Sequence, residues 1–239
     1  MNNNFATEVM VKEKKTKELK HITVEVAGER HLRYVDTIND TIDMAARQRG
    51  TGIARRTYDY LASKMKEGKA IIALEGEVFA GFCYIESWGT ARYVANSGLI
   101  VSPEYRGIGL AKEIKKKAFE LSRTKFPEAK LFGLTTGLAV MKINHSLGYR
   151  PVTYSELTDD EEFWKGCQGC VNYDILQRMN RSKCLCTGML YDPAWETGKN
   201  GNGSEIKKRS LLEYLSKLNP KHALHLLEKY RQHKKENKI

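Results

Sequence analysis

One stretch narrows the fold more than any other: Leu99-Ile-Val-Ser-Pro-Glu-Tyr-Arg-Gly-Ile-Gly-Leu-Ala111. An apolar run enters a short turn rich in glycine, and a helix-forming segment leaves it. That is a strand, a loop and a helix N-terminus in succession, the joint of an α/β domain. Gly107 and Gly109 clear the loop of side chains where an anion would approach. The first turn of the helix offers free N–H groups and the positive end of its dipole. Arg106 adds a fixed positive charge with a fork of donors. The stretch is not a dinucleotide fingerprint, because Lys112 stands where a third glycine would be. It is not a P-loop either, because no Gly-Lys-Ser/Thr follows.

The flanking sequence fits the same class. Alternation over His21–Val26 predicts a strand, and Ile38, Ile42 and Ala45 recur at helical spacing. Thr57 reads as the N-cap of a second helix that Gly68 stops. Ala70–Leu74 and Val78–Ile85 read as a hairpin turning at Glu75-Gly76-Glu77. A strand at Tyr93–Val101, a helix at Leu110–Ser122, a strand at Lys130–Thr135, a helix at Leu138–Leu147 and a strand at Tyr149–Tyr154 follow. The predicted order is β-α-α-β-β-β-α-β-α-β over residues 21–157. Residues 1–20 read as a basic flexible segment, 158–198 as a Cys-rich extension, and 199–239 as a linker and basic helical tail.

Composition excludes other classes. At 41% apolar and 29% charged residues the chain is globular rather than fibrous or wholly disordered. No apolar run approaches the roughly 20 residues of a membrane span, and the first twenty residues lack a secretory leader's apolar segment. The expected location is cytoplasmic, with no membrane partner. The formal charge of +11 raises nucleic acid as a partner. Yet residues 21–198 carry only +2, and 199–239 carry +7. The basic tail has few, uninterleaved aromatics, so a solvated arm is expected rather than a nucleic-acid grip. Leu211, Leu215 and Leu218, then Leu224 and Leu227 after Pro220, suggest a helical hairpin that docks on its own protein or forms a homodimer contact.

Arg106-x-x-Gly109-x-Ala111 resembles the Arg/Gln-x-x-Gly-x-Gly/Ala signature of the GNAT acetyltransferases. The Leu147-Gly-Tyr-Arg-Pro-Val152 corner and the order of elements resemble that family as well. The resemblance implies a GNAT fold, a mixed central sheet with splayed strands, and acetyl-CoA or another acyl-CoA such as succinyl-CoA as co-substrate. It implies that the loop from Arg106 through Gly107, Ile108, Gly109 and Leu110 to Ala111 holds the pyrophosphate. It also implies that Leu99, Ile100 and Val101 lie along the pantetheine arm, with a backbone N–H polarising the thioester carbonyl. Many members place a Tyr four residues before the corner glycine. Here Asn144 takes that position and is expected to hydrogen-bond the pantetheine instead.

Gly52-Ile-Ala-Arg-Arg-Thr-Tyr-Asp-Tyr-Leu61, Phe132-Gly-Leu-Thr-Thr136 and Gly148-Tyr-Arg-Pro-Val152 resemble the acyltransferase domain of N-acetylglutamate synthases. That resemblance places Arg55 and Arg56 at the substrate, where a guanidinium binds a carboxylate. It implies transfer of an acetyl group to a small amino acid, glutamate in arginine biosynthesis. Acetylation of a protein or another amine is the alternative, and a silent acyl-CoA-binding module with a nucleic-acid-binding tail is a third reading. The synthases carry a Glu on the strand before the turn, where this chain has Ala95, so Glu86 becomes the candidate general base. Finally, Cys167-x-x-Cys170 and Cys184-x-Cys186 provide four thiols that can close a structural zinc site, with free reduced thiols or redox chemistry as alternatives.

Overall fold

The computed structural model describes residues 19–49, 55–88 and 91–197. The chain divides into two compact units, Met1–Pro193 and Ala194–Ile239, and of the second only a short helix at Ala194–Thr197 is described. The predicted helical hairpin of the tail lies outside the described residues, as does nearly all of the N-terminal segment.

A seven-stranded sheet organises the first unit, in the order β1-β2-β3-β4-β5-β7-β6. The strands are β1 (Thr23–Val26), β2 (Ala70–Glu75), β3 (Val78–Trp88), β4 (Tyr93–Val101), β5 (Lys130–Thr135), β6 (Arg150–Val152) and β7 (Thr187–Tyr191). β4 and β5 run parallel, and each other neighbouring pair is antiparallel. Helices α1 (Val35–Arg49) and α2 (Tyr58–Lys66) lie on one face. Helix α3 (Leu110–Lys125) crosses β2, β3 and β4 on the other, and α4 (Leu138–Ser146) links β5 to β6. Two short helices follow, α5 (Glu161–Lys165) and α6 (Tyr173–Arg178). Among the described residues no helix is long and apolar enough to cross a membrane.

Most of these elements have local causes that the sequence displays. Ile38, Ile42 and Ala45 are all buried on one side of α1. The Thr57 side chain accepts from Tyr60 N at 3.3 Å, capping α2. Gly76, at φ +60°, turns the β2–β3 hairpin. Asp160 caps α5 by accepting from Glu162 N at 2.9 Å.

The sheet does not end near Leu157. It draws β7 from inside the Cys-rich stretch and inserts it between β5 and β6. Leu131 faces Tyr191 across β5 and β7, and Val152 faces Gly188 across β6 and β7. The last predicted strand is also shorter: Tyr149 is fully buried in the core and Tyr154 begins a 3₁₀ turn.

The two faces of β3 bury different residues. Toward α3 lie Ile71, Cys83, Ile85, Val94 and Ile114. Toward α1 and α2 lie Ile38, Leu61, Ile72, Phe82 and Tyr84. The α3 side also buries a polar chain: Tyr149 Oη donates to Asn96 Oδ1 at 2.9 Å, Asn96 Nδ2 to Ser122 Oγ at 2.8 Å, and Ser122 Oγ to Ala118 O at 2.7 Å. Lys115 is buried there as well, its Nζ 5.3 Å from the Tyr149 ring centre. Among the described residues no carboxylate pairs with it, and burial pulls its pKa down to about 8.

Candidate active site

Two neighbouring features of β4 create the site. First, its pairing with β5 stops early: Tyr93, Val94 and Ala95 meet Lys130, Leu131 and Phe132, and beyond them the strands part. Second, β4 bulges against β3. Phe82 faces Ile100 and Tyr84 faces Ser97, so Gly98 and Leu99 oppose Cys83 alone. A bulge of this kind re-aims the strand and leaves a ladder amide free. Gly98 sits at φ +68°, and a Cβ there would lie 2.4 Å from Tyr84 Cε1. From below, Cys83 Sγ donates to Ser97 O at 3.3 Å.

The cleft between β4 and β5 continues into the glycine turn. Ser102 N donates to Ala80 O at 3.0 Å, and the buried Tyr105 donates through its hydroxyl to Glu75 Oε2 at 2.8 Å. Arg106 Nε donates to Val101 O at 3.1 Å, folding the side chain against the end of β4. Gly107 and Gly109 take φ +87° and +90°, conformations that side chains disfavour. Among the described residues the amides from Gly107 to Ala111 find no backbone acceptor, and Gly109 caps α3 without a side-chain bond. These amides form an open cradle for an anion. Ile108 is half-buried, while Leu110 is buried under α3 and anchors the turn.

Asn144 projects from α4 toward the same cleft. Its Nδ2 is 3.9 Å from where a Cβ on Gly133 would stand, and its buried Oδ1 has no hydrogen-bond partner among the described residues. A buried polar oxygen without a partner is disfavoured, so this atom is placed to receive a donor from a bound molecule.

The other side of β4 carries the ionisable groups. Glu86 faces Ala95 directly across the β3–β4 ladder. Its carboxylate therefore stands on the sheet face and at the level of the residue that lacks one. Lys64 Nζ donates to Glu86 Oε1 at 2.7 Å, and the Tyr60 hydroxyl donates to Glu86 Oε2. The Lys64 and Glu86 side chains are 11% and 13% exposed, so this pair is screened from water. Lys64 Nζ also lies 4.9 Å from the Tyr60 ring centre. Burial raises the Tyr60 pKa, and the neighbouring Tyr84 and Glu86 raise it further.

Arg55 and Arg56 separate. Arg55 donates to Asp40 and Asp43 on α1 at 3.3 and 3.0 Å, which occupies its guanidinium at the surface. Arg56 turns inward. Its Nε donates to Tyr84 Oη at 3.2 Å, and its backbone N–H donates to Asn39 Oδ1 at 3.2 Å. Among the described residues nothing accepts from its terminal Nη groups, which leaves a half-buried fork of donors beside Glu86. Tyr60, Lys64 and Tyr84 were not expected from the sequence. Only the i, i+4 spacing of Tyr60 and Lys64 and the alternation of Tyr84 with Glu86 signal a shared face.

The four cysteines lie within electrostatic reach of one another, beside Tyr154. Among the described residues no group of three or more His, Cys, Asp or Glu is placed to hold a metal ion. Cys167, Cys170, Cys184 and Cys186 are free thiols of intermediate exposure. Burial, then neighbouring thiols, push Cys167 up to about 11 and Cys186 to about 12. The segment has a different structural part to play. Phe163 packs edge-on against Trp88 and Phe132, at 5.2 and 4.8 Å between ring centres, and Cys167 feels the charge of Arg56. Residues after Leu157 thus wall the side of the site that holds Arg56.

Residues 55–139 match the model of the Acetyltransferase (GNAT) family. No curated relative matches the sequence. Among solved structures, the N-acetylglutamate synthase of Neisseria gonorrhoeae, complexed with coenzyme A and N-acetyl-glutamate, is similar at 13% identity and a TM-score of 0.51. The match covers 72% of this chain and 35% of that one, so this chain spans about a third of the synthase's length. Rv2747 of Mycobacterium tuberculosis, in complex with CoA, is similar at 14% identity and a TM-score of 0.52, over 71% of this chain and 98% of that one. YncA of Salmonella typhimurium, solved with its cofactor acetyl-CoA, is similar at 14% identity and a TM-score of 0.50, over 72% and 94%. At these identities the likeness is one of fold.

Proposed function

We propose that this chain, whose residues 55–139 match the GNAT acetyltransferase model, moves an acetyl group from acetyl-CoA to the α-amine of a small, carboxylate-bearing amino acid, with glutamate the acceptor that fits best. In this reading the pyrophosphate of the co-substrate rests on the amides of Gly107 to Ala111, beside Arg106. The pantetheine lies along Leu99, Ile100 and Val101 in the cleft that β4 and β5 leave open, and Asn144 Oδ1 accepts from one of its amides. The bulge at Gly98 brings the thioester to the level of Tyr84, and a freed backbone N–H stabilises the oxyanion that develops on the carbonyl.

The observation that carries the acceptor class is Arg56. Among the described residues its terminal nitrogens are half-buried and have no acceptor, and a guanidinium so placed selects a carboxylate bidentately. Glu86, on the level of Ala95, takes up the proton that the amine must lose before it attacks. A glutamate acceptor places the enzyme in arginine biosynthesis, in the cytoplasm. Arg55, held by two aspartates, fixes the start of α2 against α1 and stays out of the substrate.

The test is release of free thiol from acetyl-CoA by the purified protein over a panel of amino acids, peptides and polyamines. Turnover with acidic amino acids supports the proposal. For Arg56→Met, KM for the acceptor should rise roughly 10²-fold, the loss of one charge-assisted pair, with KM for acetyl-CoA unchanged. Turnover with peptides or polyamines alone would overturn the acceptor class.

A further inference from the structure

Arg56 can select a carboxylate only if its guanidinium is held still. Its long stem is rich in rotamers, and an unfixed fork sweeps a wide arc. Two contacts hold it. The backbone N–H of Arg56 donates to Asn39 Oδ1 at 3.2 Å, which fixes where the stem begins. The Nε–H donates to Tyr84 Oη at 3.2 Å, which fixes where it ends. A guanidinium is planar, so placing Cδ and Nε–H sets the direction of both Nη groups.

The Tyr84 hydroxyl is otherwise out of place. Its ring belongs to the core beneath α1 and α2, with Ile38, Leu61, Ile72 and Phe82, and the residue is 1% exposed. A phenylalanine would pack there as well. A hydroxyl buried among such groups is costly unless it is bonded, and Arg56 Nε supplies a bond. Nor can the ring turn aside. Tyr84 lies inside the sheet, opposite Ala70 of β2 and Ser97 of β4. Its edge rests on Gly98, where a Cβ would overlap it. The Phe82 and Tyr60 rings lie 6.2 and 5.7 Å from it between centres. One immobile side chain therefore touches the bulge of β4 with its ring and Arg56 with its oxygen. Being buried, it does not meet a substrate and acts through Arg56.

We propose that Tyr84 is a positioning residue that sets the distance from the Arg56 fork to the bulge of β4, and that this distance decides the length of amino acid the site accepts. The inference rests on the reading of Arg56 and of the bulge given above. A carboxylate on the fork and an amine facing the thioester are two ends of one acceptor. With both reference points tied to one fixed ring, an acceptor a methylene too short or too long loses either the bidentate pair or the attack geometry. Without the hydroxyl, the fork follows the acceptor and the ranking by length flattens.

The test is kcat/KM of the full chain for aspartate, glutamate and aminoadipate, a series that grows by one methylene at each step. The wild type should rank them, the best ahead of its neighbour by on the order of 10²-fold. Tyr84→Phe keeps the ring on Gly98, so KM for acetyl-CoA should stay within about twofold. KM for the best acceptor should rise on the order of 10-fold, the loss of a hydrogen bond to a charged group, and the ranking should narrow to within about tenfold. Arg56→Lys keeps the charge and gives up Nε, and it should flatten the ranking in the same way. Adding Tyr84→Phe to it should change nothing further, because the two residues act as a unit. A ranking kept by either variant, equal losses for all three acceptors and acetyl-CoA, full additivity, or a wild type that takes the three acids alike would overturn the positioning role and leave the acyl-transfer reading intact. A wild type that acetylates only amines without a carboxylate, or none at all, would overturn the reading of Arg56 as well.

Discussion

Two lysines lie buried on opposite sides of β3. Lys64, from α2, meets the Glu86 carboxylate at 2.7 Å and the Tyr60 ring. Lys115, from α3, meets, among the described residues, the Tyr149 ring and the neighbourhood of the Cys83 thiol, with no carboxylate. The first is a compensated charge set among hydroxyls and the Arg56 guanidinium, whose Nε is bound to Tyr84. The second is an uncompensated amine in a core that already satisfies Asn96, Ser122 and Tyr149 among themselves. Burial alone therefore does not mark chemistry. What distinguishes the α2 side is that, among the described residues, the ionisable groups are paired and the Arg56 Nη fork alone has no acceptor, which is the fork proposed above for the substrate carboxylate.

The contrast can be broken from either side. The largest effect is expected at Lys64. Lys64→Met leaves Glu86 charged and without its cation in a screened position, which costs about 3 kcal/mol or more. Urea unfolding should show it, and Lys64→Met combined with Glu86→Leu should recover most of the loss. A single variant that unfolds like the wild type would make this pair no different from an exposed one.

Lys115 should behave in the opposite sense. Its ordinary value of 10.5 in an unfolded chain falls to about 8 in the fold, with burial as the cause. Below pH 8 the ammonium is charged in both states, and the folded state bears the whole penalty. As pH rises from 8 toward 10.5 the folded state releases its proton first and the penalty is relieved. Lys115→Met should therefore stabilise the protein by up to about 3 kcal/mol at neutral pH. Melting curves from pH 7 to 10 should show the gain shrinking toward the alkaline end. A gain independent of pH would mean that packing, not charge, is the cause. Turnover should be unaffected.

Ser122→Ala sharpens the comparison on the smallest scale. It leaves Asn96 Nδ2 without its acceptor in the α3-side core, a loss of about 1 kcal/mol. Thermal unfolding should register it while the acetyl-transfer rate stays level. A large drop in rate would show that the polar chain under β4 supports the bulge more directly than Cys83 does.

The glycine turn proposed to hold the donor was legible in the sequence and the cluster proposed to hold the acceptor was not, for a physical reason. A loop that receives an anion on its backbone needs glycines and a helix start in one contiguous stretch, and Arg106 to Ala111 display them in order. The strands β4 and β5 were equally plain, bounded by turn residues on both sides. The cluster around Arg56 is assembled by strand register and helix packing from residues as far apart as Arg56, Tyr84 and Cys167. Arg55 and Arg56 are neighbours in sequence, and only the entry of α2 sends one to the surface and the other inward. Glu86 could be picked out as a carboxylate near a strand end, but its bonds to Tyr60 and Lys64 depend on how α2 lies across β3. The Cys pairs had a spacing suited to metal, and the fold brings their thiols near one another, but among the described residues no group of three or more ligands is set to hold an ion. β7 escaped notice because Thr187–Tyr191 is short, contains Gly188 and is buried on both faces at four of its five positions, so it lacks alternation.

The insertion of β7 between β5 and β6 sets an order on the birth of the molecule. β6 pairs with β7 alone, and β7 is made later. A growing chain that has just completed Val152 holds a strand with no neighbour to receive it, while β5 presents an open edge. Roughly 35 further residues must be added before β7 exists, a wait of several seconds at ordinary synthesis rates. Through that interval the unfilled edge can capture the wrong strand, from the same chain or from another. A ribosome that stalls between Leu157 and Thr187 would hold the sheet open at the place where it is most easily mispaired.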